Sequence, residues 1–280
     1  MSQESKPPQI GITTYGRQQA TAVSTLSAYS NAVQAAGGVP VFLPATEVDP
    51  LKLLEPLDGL ILSGGGDIDP VFYNGSFHPK IYSVDSHRDV FELQIARFAL
   101  DNHIPVLGIC RGLQILIVVS GGTLIPHIPD KYGTSVLHRQ EPEPGLWQST
   151  EHIIKINPNS RLAKLIQKTQ ISVVSFHHQA ARKIPPGWHA VAYALKDGVI
   201  EAIEHEHHPW AIGVQWHPEL SPNDPNHQRI FQGFVQSTLS RKNLKIRGVR
   251  ALSSPTPLHT PDTYGGKPSS STGSPIPLHP

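Results

Sequence analysis

The chain has 280 residues, 23 basic and 22 acidic, for a formal net charge of +1. That balance excludes a strongly basic nucleic-acid binder and an acidic disordered protein as readings of the whole chain. It contains a single cysteine, which excludes an intrachain disulfide framework and a multi-cysteine zinc or iron–sulfur site. Two readings of that cysteine remain, an inert buried thiol or a nucleophile. The 38% hydrophobic content suffices for a sizeable core at this length.

Residues Met1 to Gln9 are polar and include Pro7 and Pro8. No apolar segment follows a basic start, so no secretory signal is expected. No apolar run reaches membrane-spanning length, and a cytoplasmic protein without membrane or nucleic-acid partners is the expectation. Ile10–Thr14 reads as a strand. Thr21–Ala36 carries apolar residues at Val23, Leu26, Tyr29, Val33 and Ala36, a helical stripe. Gly37 and Gly38 end it. Val39–Leu43 and Gly59–Leu62 are the next strands, the second running into Ser63-Gly64-Gly65-Gly66-Asp67. Ser86 and Asp89 have the spacing of a capping box for a helix through about Asn102. Pro105–Ile109 reads as a strand and Arg111–Val119 as a helix. This alternation predicts an α/β fold, a three-layer sandwich around a mostly parallel sheet. The second half adds short strands at His152–Ile156, Ile171–Ser175, His189–Ala194, Val199–Glu204 and Ala211–Gln215. Turns such as Lys196-Asp197-Gly198 separate most of them, so part of the sheet is expected to be antiparallel.

Composition shifts near residue 241. A basic stretch is followed by Ser, Pro, Thr, Gly and His almost exclusively. Such a segment buries too little apolar surface to offset its ordering entropy. The expected organisation is an N-terminal tail (1–7), one domain (8–240) and a disordered tail (241–280). The tail is either passive or a docking segment for an unknown partner.

Cys110 lies in Gly108-Ile109-Cys110-Arg111-Gly112, between an apolar strand and a helix. This is the strand–turn–helix context of a nucleophile elbow. A thiol at a helix N-terminus is favoured as thiolate, and the Arg111 N–H is placed to receive an oxyanion. A nucleophilic cysteine needs a base, and the base needs an orienting acceptor. His217-Pro218-Glu219 ends a hydrophobic strand and offers both. Pro218 biases His217 toward extended backbone, where residues two apart project to one side.

Other clusters carry less. Ser63–Asp67 lacks the Lys and Ser/Thr of a phosphate-binding loop. Glu204-His205-Glu206-His207-His208 fits no zinc spacing and reads as a solvated hairpin loop, so no metal site is expected. His138-Arg139-Gln140 with Glu141–Glu143 reads as a polar loop. Arg88 and Glu92, four apart, read as a surface ion pair.

The elbow cysteine, Gly112, Gln114 and the late His217-Pro218-Glu219 resemble the class I glutamine amidotransferase superfamily. Ser63–Pro70, Asp85–Glu92, Gly108–Gln114, Gly121–Leu124, Ser175–Gln179 and Gly213–Glu219 resemble its γ-glutamyl hydrolase branch. The resemblance spans residues 10–235. It implies a flavodoxin-like glutamine amidotransferase fold, with Cys110 as nucleophile, His217 as base and Glu219 as its orienter. It implies oxyanion N–H groups from Gly65 and Gly66 beside Arg111. It implies a substrate pocket lined by Gln114, Ser175, Phe176, His177 and His178, with Arg88 and Glu92 near its mouth. The substrate is then a small γ-glutamyl compound, such as γ-glutamyl-γ-aminobutyrate, and no metal or organic cofactor is implied. A glutaminase subunit delivering ammonia to a separate synthetase, and a catalytically silent binding protein, are the alternatives. A homodimer is left open. Ile117, Val174 and Ile125-Pro126-His127 depart from the family pattern and bear on pocket packing and substrate preference.

Overall fold

The structure is a computed structural model and describes residues 6–14, 22–45, 50–143 and 146–246. The expected tail beyond Ile246 lies outside the described residues. In chain order the first half comprises β1 (Gln9–Thr13), α1 (Ala22–Ala35), β2 (Val39–Leu43), α2 (Pro50–Leu54) and β3 (Gly59–Leu62). It continues with α3 (Ser86–Asp101), β4 (Val106–Ile109), α4 (Arg111–Val119), β5 (Thr123–Ile125) and α5 (Ile128–Tyr132). The second half comprises β6 (Gln140–Glu143), β7 (Leu146–Gln148), β8 (Thr150–Ile156), α6 (Arg161–Ile166), β9 (Gln170–Ser175) and β10 (Ala180–Lys183). It ends with β11 (Trp188–Ala194), β12 (Ile200–His205), β13 (Ala211–Val214) and α7 (Pro225–Ile246).

Nine strands form one sheet in the order β2-β1-β3-β4-β13-β12-β11-β8-β9. The strands from β2 to β13 are parallel. From β13 to β9 each neighbour is antiparallel. The expected fold class is therefore observed, with the antiparallel strands gathered at one end. The reason is local: tight connections such as the Asp197–Gly198 turn pair β11 with β12 directly, whereas the parallel strands need helical crossovers.

Side-chain alternation fills both faces. Ile10, Ile12, Ile61, Leu107, Ile109, Ile212 and Val214 face one core with Tyr29 and Val33 of α1 and Ile230 and Phe234 of α7. Leu60, Leu62, Val106 and Ala211 face the other core with Phe91 and Ile95 of α3 and Leu113 and Leu116 of α4. The expected domain boundary at 240 falls inside α7. α3 begins where expected, but its cap is Asp85, whose Oδ1 accepts the N–H groups of His87 and Arg88 at 3.1 Å. Asp89 is turned inward, so the capping-box expectation is corrected by one residue.

Every residue of α4 is buried. Gly112 lets this helix lie against β3, because a Cβ there would overlap the Leu62 carbonyl. The helix start thereby sits level with the carboxyl ends of β3, β4 and β13, where ligands bind in open α/β sheets. Gly112→Ala is expected to destabilise the fold by about 1–3 kcal/mol through overpacking, read as a lowered urea midpoint. An unchanged midpoint would mean that α4 shifts freely.

Candidate active site

Cys110 is the residue between β4 and α4. Its backbone has φ 53° and ψ −106°, a strained conformation for a side-chain-bearing residue. Such strain costs about 1–3 kcal/mol and persists only where its surroundings enforce it. Here the Cys110 N–H donates to the Val214 carbonyl at 2.8 Å, and its carbonyl accepts from Leu113 at 3.1 Å. The thiol is 5% exposed and faces the Phe176 carbonyl at 3.9 Å. Arg111 and Gly112 open α4, so their N–H groups have no intrahelical acceptors.

His217 follows β13 and is also buried. Its N–H donates to the Val174 carbonyl at 2.9 Å. That role belongs to the backbone, so the departure at Val174 leaves it intact. Nδ1 donates to Glu219 Oε1 at 2.6 Å. This fixes the tautomer and leaves Nε2, which makes no other hydrogen bond among the described residues, to the thiol. Burial opposes a charge on the ring, but the Glu219 carboxylate and then Cys110 outweigh it, and its pKa stands well above the ordinary histidine value. A methyl group on Gly64 would meet His217 Cε1 at 3.0 Å and Cys110 Cβ at 3.7 Å. The ring and the thiol-bearing carbon therefore flank the triple-glycine loop together. Phe176 packs edge-on against the His217 ring, centroids 6.4 Å apart.

The glycine loop is held from beneath. Glu92 is wholly buried between two guanidinium groups: Oε1 lies 2.9 Å from Arg88 Nη2 and Oε2 lies 3.0 Å from Arg111 Nε. Arg88 donates to the Gly64 carbonyl at 2.8 Å and Arg111 to the Gly66 carbonyl at 3.1 Å. Arg111 also meets Asp89 at 2.6 Å. Burial works against ionisation of Glu92, yet Arg88 and Arg111 hold its pKa below the usual carboxylate range. The reading of Arg88 and Glu92 as a surface pair or as residues of a pocket mouth is thus corrected: both lie under the loop. The Gly64 and Gly66 carbonyls are pinned on that side, and the Gly64 N–H donates to the Tyr29 hydroxyl at 3.0 Å. Gly66 has no room for a Cβ against the Ser83 carbonyl, and Gly65 has φ 152°.

The remaining expected pocket residues separate. Gln114 is buried, its Nε2 3.4 Å from Gln215 Oε1 and 3.5 Å from the Gln179 carbonyl. Ser175 donates to the His138 carbonyl at 2.9 Å, a structural bond. His178 lies 2.8 Å from Asp67 Oδ2, and its Nδ1 is 3.1 Å from Nδ1 of His127. His127, one of the departures, therefore reaches this side of the site. Burial and then His178 push its pKa down to about 4. Ile117, another departure, is in the core. His177 turns away from the thiol: its Nε2 lies 3.5 Å from Glu201 Oε1, and burial pushes its pKa down to about 4.

Two expected loops are also corrected. His138 and Arg139 are buried, and Gln140–Glu143 is a strand. Arg139 stacks on Trp147 at 3.7 Å and on Tyr82 at 4.8 Å, with Nη1 lacking an acceptor. Tyr82 also feels the charge of Cys110; burial above all raises its pKa to about 12. In the 204–208 segment, Glu204 is buried and accepts the N–H groups of Arg161 and Leu162 at the start of α6, and His208 is buried too. Sequence reading missed these roles because nothing local marks an aromatic sandwich or a distant helix start.

A family model described as Peptidase C26 matches residues 8–219. The chain is 33% identical to "Gamma-glutamyl-gamma-aminobutyrate hydrolase PuuD" of Escherichia coli over 238 residues, 81% of this chain and 92% of that protein. It is 38% identical to "Putative glutamine amidotransferase Rv2859c" of Mycobacterium tuberculosis over 239 residues, 82% of this chain and 74% of that protein. A solved structure described as a "putative gmp synthase subunit a protein" of Thermoplasma acidophilum shares the fold, with a TM-score of 0.61 at 17% identity, covering 86% of this chain and 99% of that one.

Glu92→Ala would leave two buried guanidinium groups short of a counter-charge. Removing one partner of a buried ion pair costs about 3–5 kcal/mol. The expected outcome is a loss of that size in denaturant unfolding; a loss under about 1 kcal/mol would mean that Asp89 alone balances the pair.

Proposed function

The chain belongs to the Peptidase C26 family, and we propose from this that it hydrolyses γ-glutamyl amide bonds with Cys110 as nucleophile. The observation carrying the reading is the strained, buried Cys110 beside a His217 ring whose other nitrogen is fixed by Glu219. The Cys110 thiolate attacks the γ-carbonyl carbon of the substrate. Negative charge develops on the carbonyl oxygen and is received by backbone N–H groups of Arg111 and of the Gly65–Gly66 loop. The tetrahedral adduct collapses as His217, protonated, gives its Nε2 proton to the departing amine. A glutamyl thioester and a free amine result. Water, deprotonated by His217, then attacks the thioester; glutamate leaves and the thiol is restored.

A γ-glutamyl compound carries an α-carboxylate beside its α-amine. The Arg139 guanidinium, desolvated between Tyr82 and Trp147 with Nη1 unpartnered, supports a substrate with such a group, since Arg pairs readily with carboxylates. The relative named a γ-glutamyl-γ-aminobutyrate hydrolase supports γ-glutamyl amines as the substrate class. The relative named a glutamine amidotransferase favours a second reading, in which the same thioester step releases ammonia from glutamine for a partner enzyme. Unassisted glutamate release from γ-glutamyl amines separates the first reading from glutamine hydrolysis that needs a partner.

Cys110→Ser is expected to lower kcat by roughly a thousandfold or more in a glutamate-release assay, with the fold unchanged by circular dichroism; full activity in that variant would sink the mechanism. The pH profile gives a second check. A raised His217 pKa keeps the imidazolium available to higher pH, and activity falls as pH rises through that value. Glu219→Gln removes the largest raising influence, so the alkaline limb of kcat/KM is expected to move to lower pH. A limb that stays in place would restrict Glu219 to orienting the ring.

A further inference from the structure

Beneath the antiparallel end of the sheet lies a second buried cluster that the proposed chemistry does not use. Glu201 of β12 points its Oε1 at three imidazole nitrogens: His152 Nε2 at 3.0 Å, His138 Nδ1 at 3.2 Å and His177 Nε2 at 3.5 Å. Donor atoms of His138, His152 and Glu201 all lie within 4.8 Å of one another. The Glu201 side chain has no solvent exposure and those of the three histidines have at most 8%.

The tautomers are the informative feature. His138 Nε2 lies 2.9 Å from Asp197 Oδ2, and His177 Nδ1 lies 2.9 Å from the Gln179 carbonyl. Both acceptors have only lone pairs to offer, so these two nitrogens carry the ring protons. In the neutral rings His138 Nδ1 and His177 Nε2 are then bare lone pairs, aimed at a carboxylate oxygen that also has only lone pairs. Neither nitrogen has a hydrogen-bond partner, and Glu201 Oε2 has none. A proton on His138 Nδ1 would relieve one of these contacts and leave His177 Nε2 and Glu201 Oε2 unpartnered. Buried polar atoms without partners are rare because each costs about 1–3 kcal/mol.

We propose that this cluster is a transition-metal site of the zinc class, with His138 Nδ1, His152 Nε2 and Glu201 Oε1 as ligands. Imidazole and carboxylate ligands suit zinc, and its metal–ligand bonds of about 2.0–2.2 Å in tetrahedral array set ligand separations of roughly 3.3 Å. The two carboxylate-to-imidazole separations, 3.0 Å to His152 and 3.2 Å to His138, lie close to that value. Metal-bound histidines donate their second N–H to a carboxylate or a carbonyl, the pattern of His138 with Asp197. Asp197 is itself fixed by the Val199 N–H at 3.1 Å. A divalent cation also balances Glu201 and Asp197 with every ring neutral. The ligands come from β8, β12 and the segment before β6, so the metal would tie together parts of the chain that only the fold makes neighbours.

The test uses the full chain, stripped by a chelator and loaded with cobalt(II) or zinc(II). One equivalent of cobalt is expected to bind with the visible absorption of a four-coordinate site. X-ray absorption of the zinc form is expected to show nitrogen and oxygen scatterers with imidazole outer shells and no sulfur. Asp197→Asn, which reaches the site only through His138, is expected to weaken the metal about 10–100-fold. His152→Ala removes the bound equivalent, whereas His207→Ala, on the exposed loop before β13, leaves it in place. The proposal is overturned if the stripped chain takes up no metal, if a sulfur scatterer puts the metal on Cys110, or if the equivalent is lost with His207 and kept without His152. The spectra are read on the unsubstituted chain, so a variant that misfolds leaves the spectroscopic outcome unaffected.

Discussion

One buried carboxylate sets the geometry of the reactive end of this molecule. Glu92 has no exposure to water and holds Arg88 and Arg111 on its two oxygens. Desolvating these charges is expensive, and only close pairing compensates for it. The return lies in specificity of shape. Each guanidinium also donates to a carbonyl of the triple-glycine loop, Gly64 for Arg88 and Gly66 for Arg111. Arg111 is also the first residue of the helix that begins after Cys110. Glu92 thus couples the loop after β3 to the turn after β4.

The elbow depends on the same packing. Cys110 keeps an unfavourable backbone conformation because β13 takes its N–H and α4 is pressed against β3 at Gly112. His217 leaves the end of β13, the strand that takes that N–H. Backbone strain at Cys110 and the position of the His217 ring therefore share one parallel pair, β4 with β13. The two parts of the arrangement are far apart in sequence and one strand apart in the sheet.

How much of this was legible in the sequence follows from the range of the interactions. The strand–helix alternation, the elbow at Cys110 and the His217–Glu219 pair are local patterns, and α4 spans the expected residues. Arg88 and Glu92 were visible only as an i,i+4 pair, a spacing that is the same on a solvated face and a buried one. What decides between them is Arg111, 19 residues beyond Glu92, arriving from another helix. The cap of α3 went to Asp85 because Asp89 is taken by Arg111. His138 looked like part of a polar loop because its partners Asp197 and Glu201 lie far downstream, on and beside the β11–β12 hairpin. In each case the sequence showed the residue type, and a partner from a distant element determined its environment.

The segment Ser175–His178 joins these separate regions. Its four residues point to four places: Ser175 to the His138 carbonyl, the Phe176 carbonyl to the thiol, His177 to Glu201, and His178 to Asp67 beside the glycine loop. No side chain in this run is free to move alone, because each neighbour is bonded into a different buried cluster. A shift of His177 relative to Glu201 is transmitted through one peptide unit to the carbonyl facing Cys110. The polar cluster under the antiparallel strands is thereby continuous through the chain with the elbow. A rigid anchor at Glu201 would hold Phe176 against His217, and with it the wall of the site on the side opposite the glycine loop.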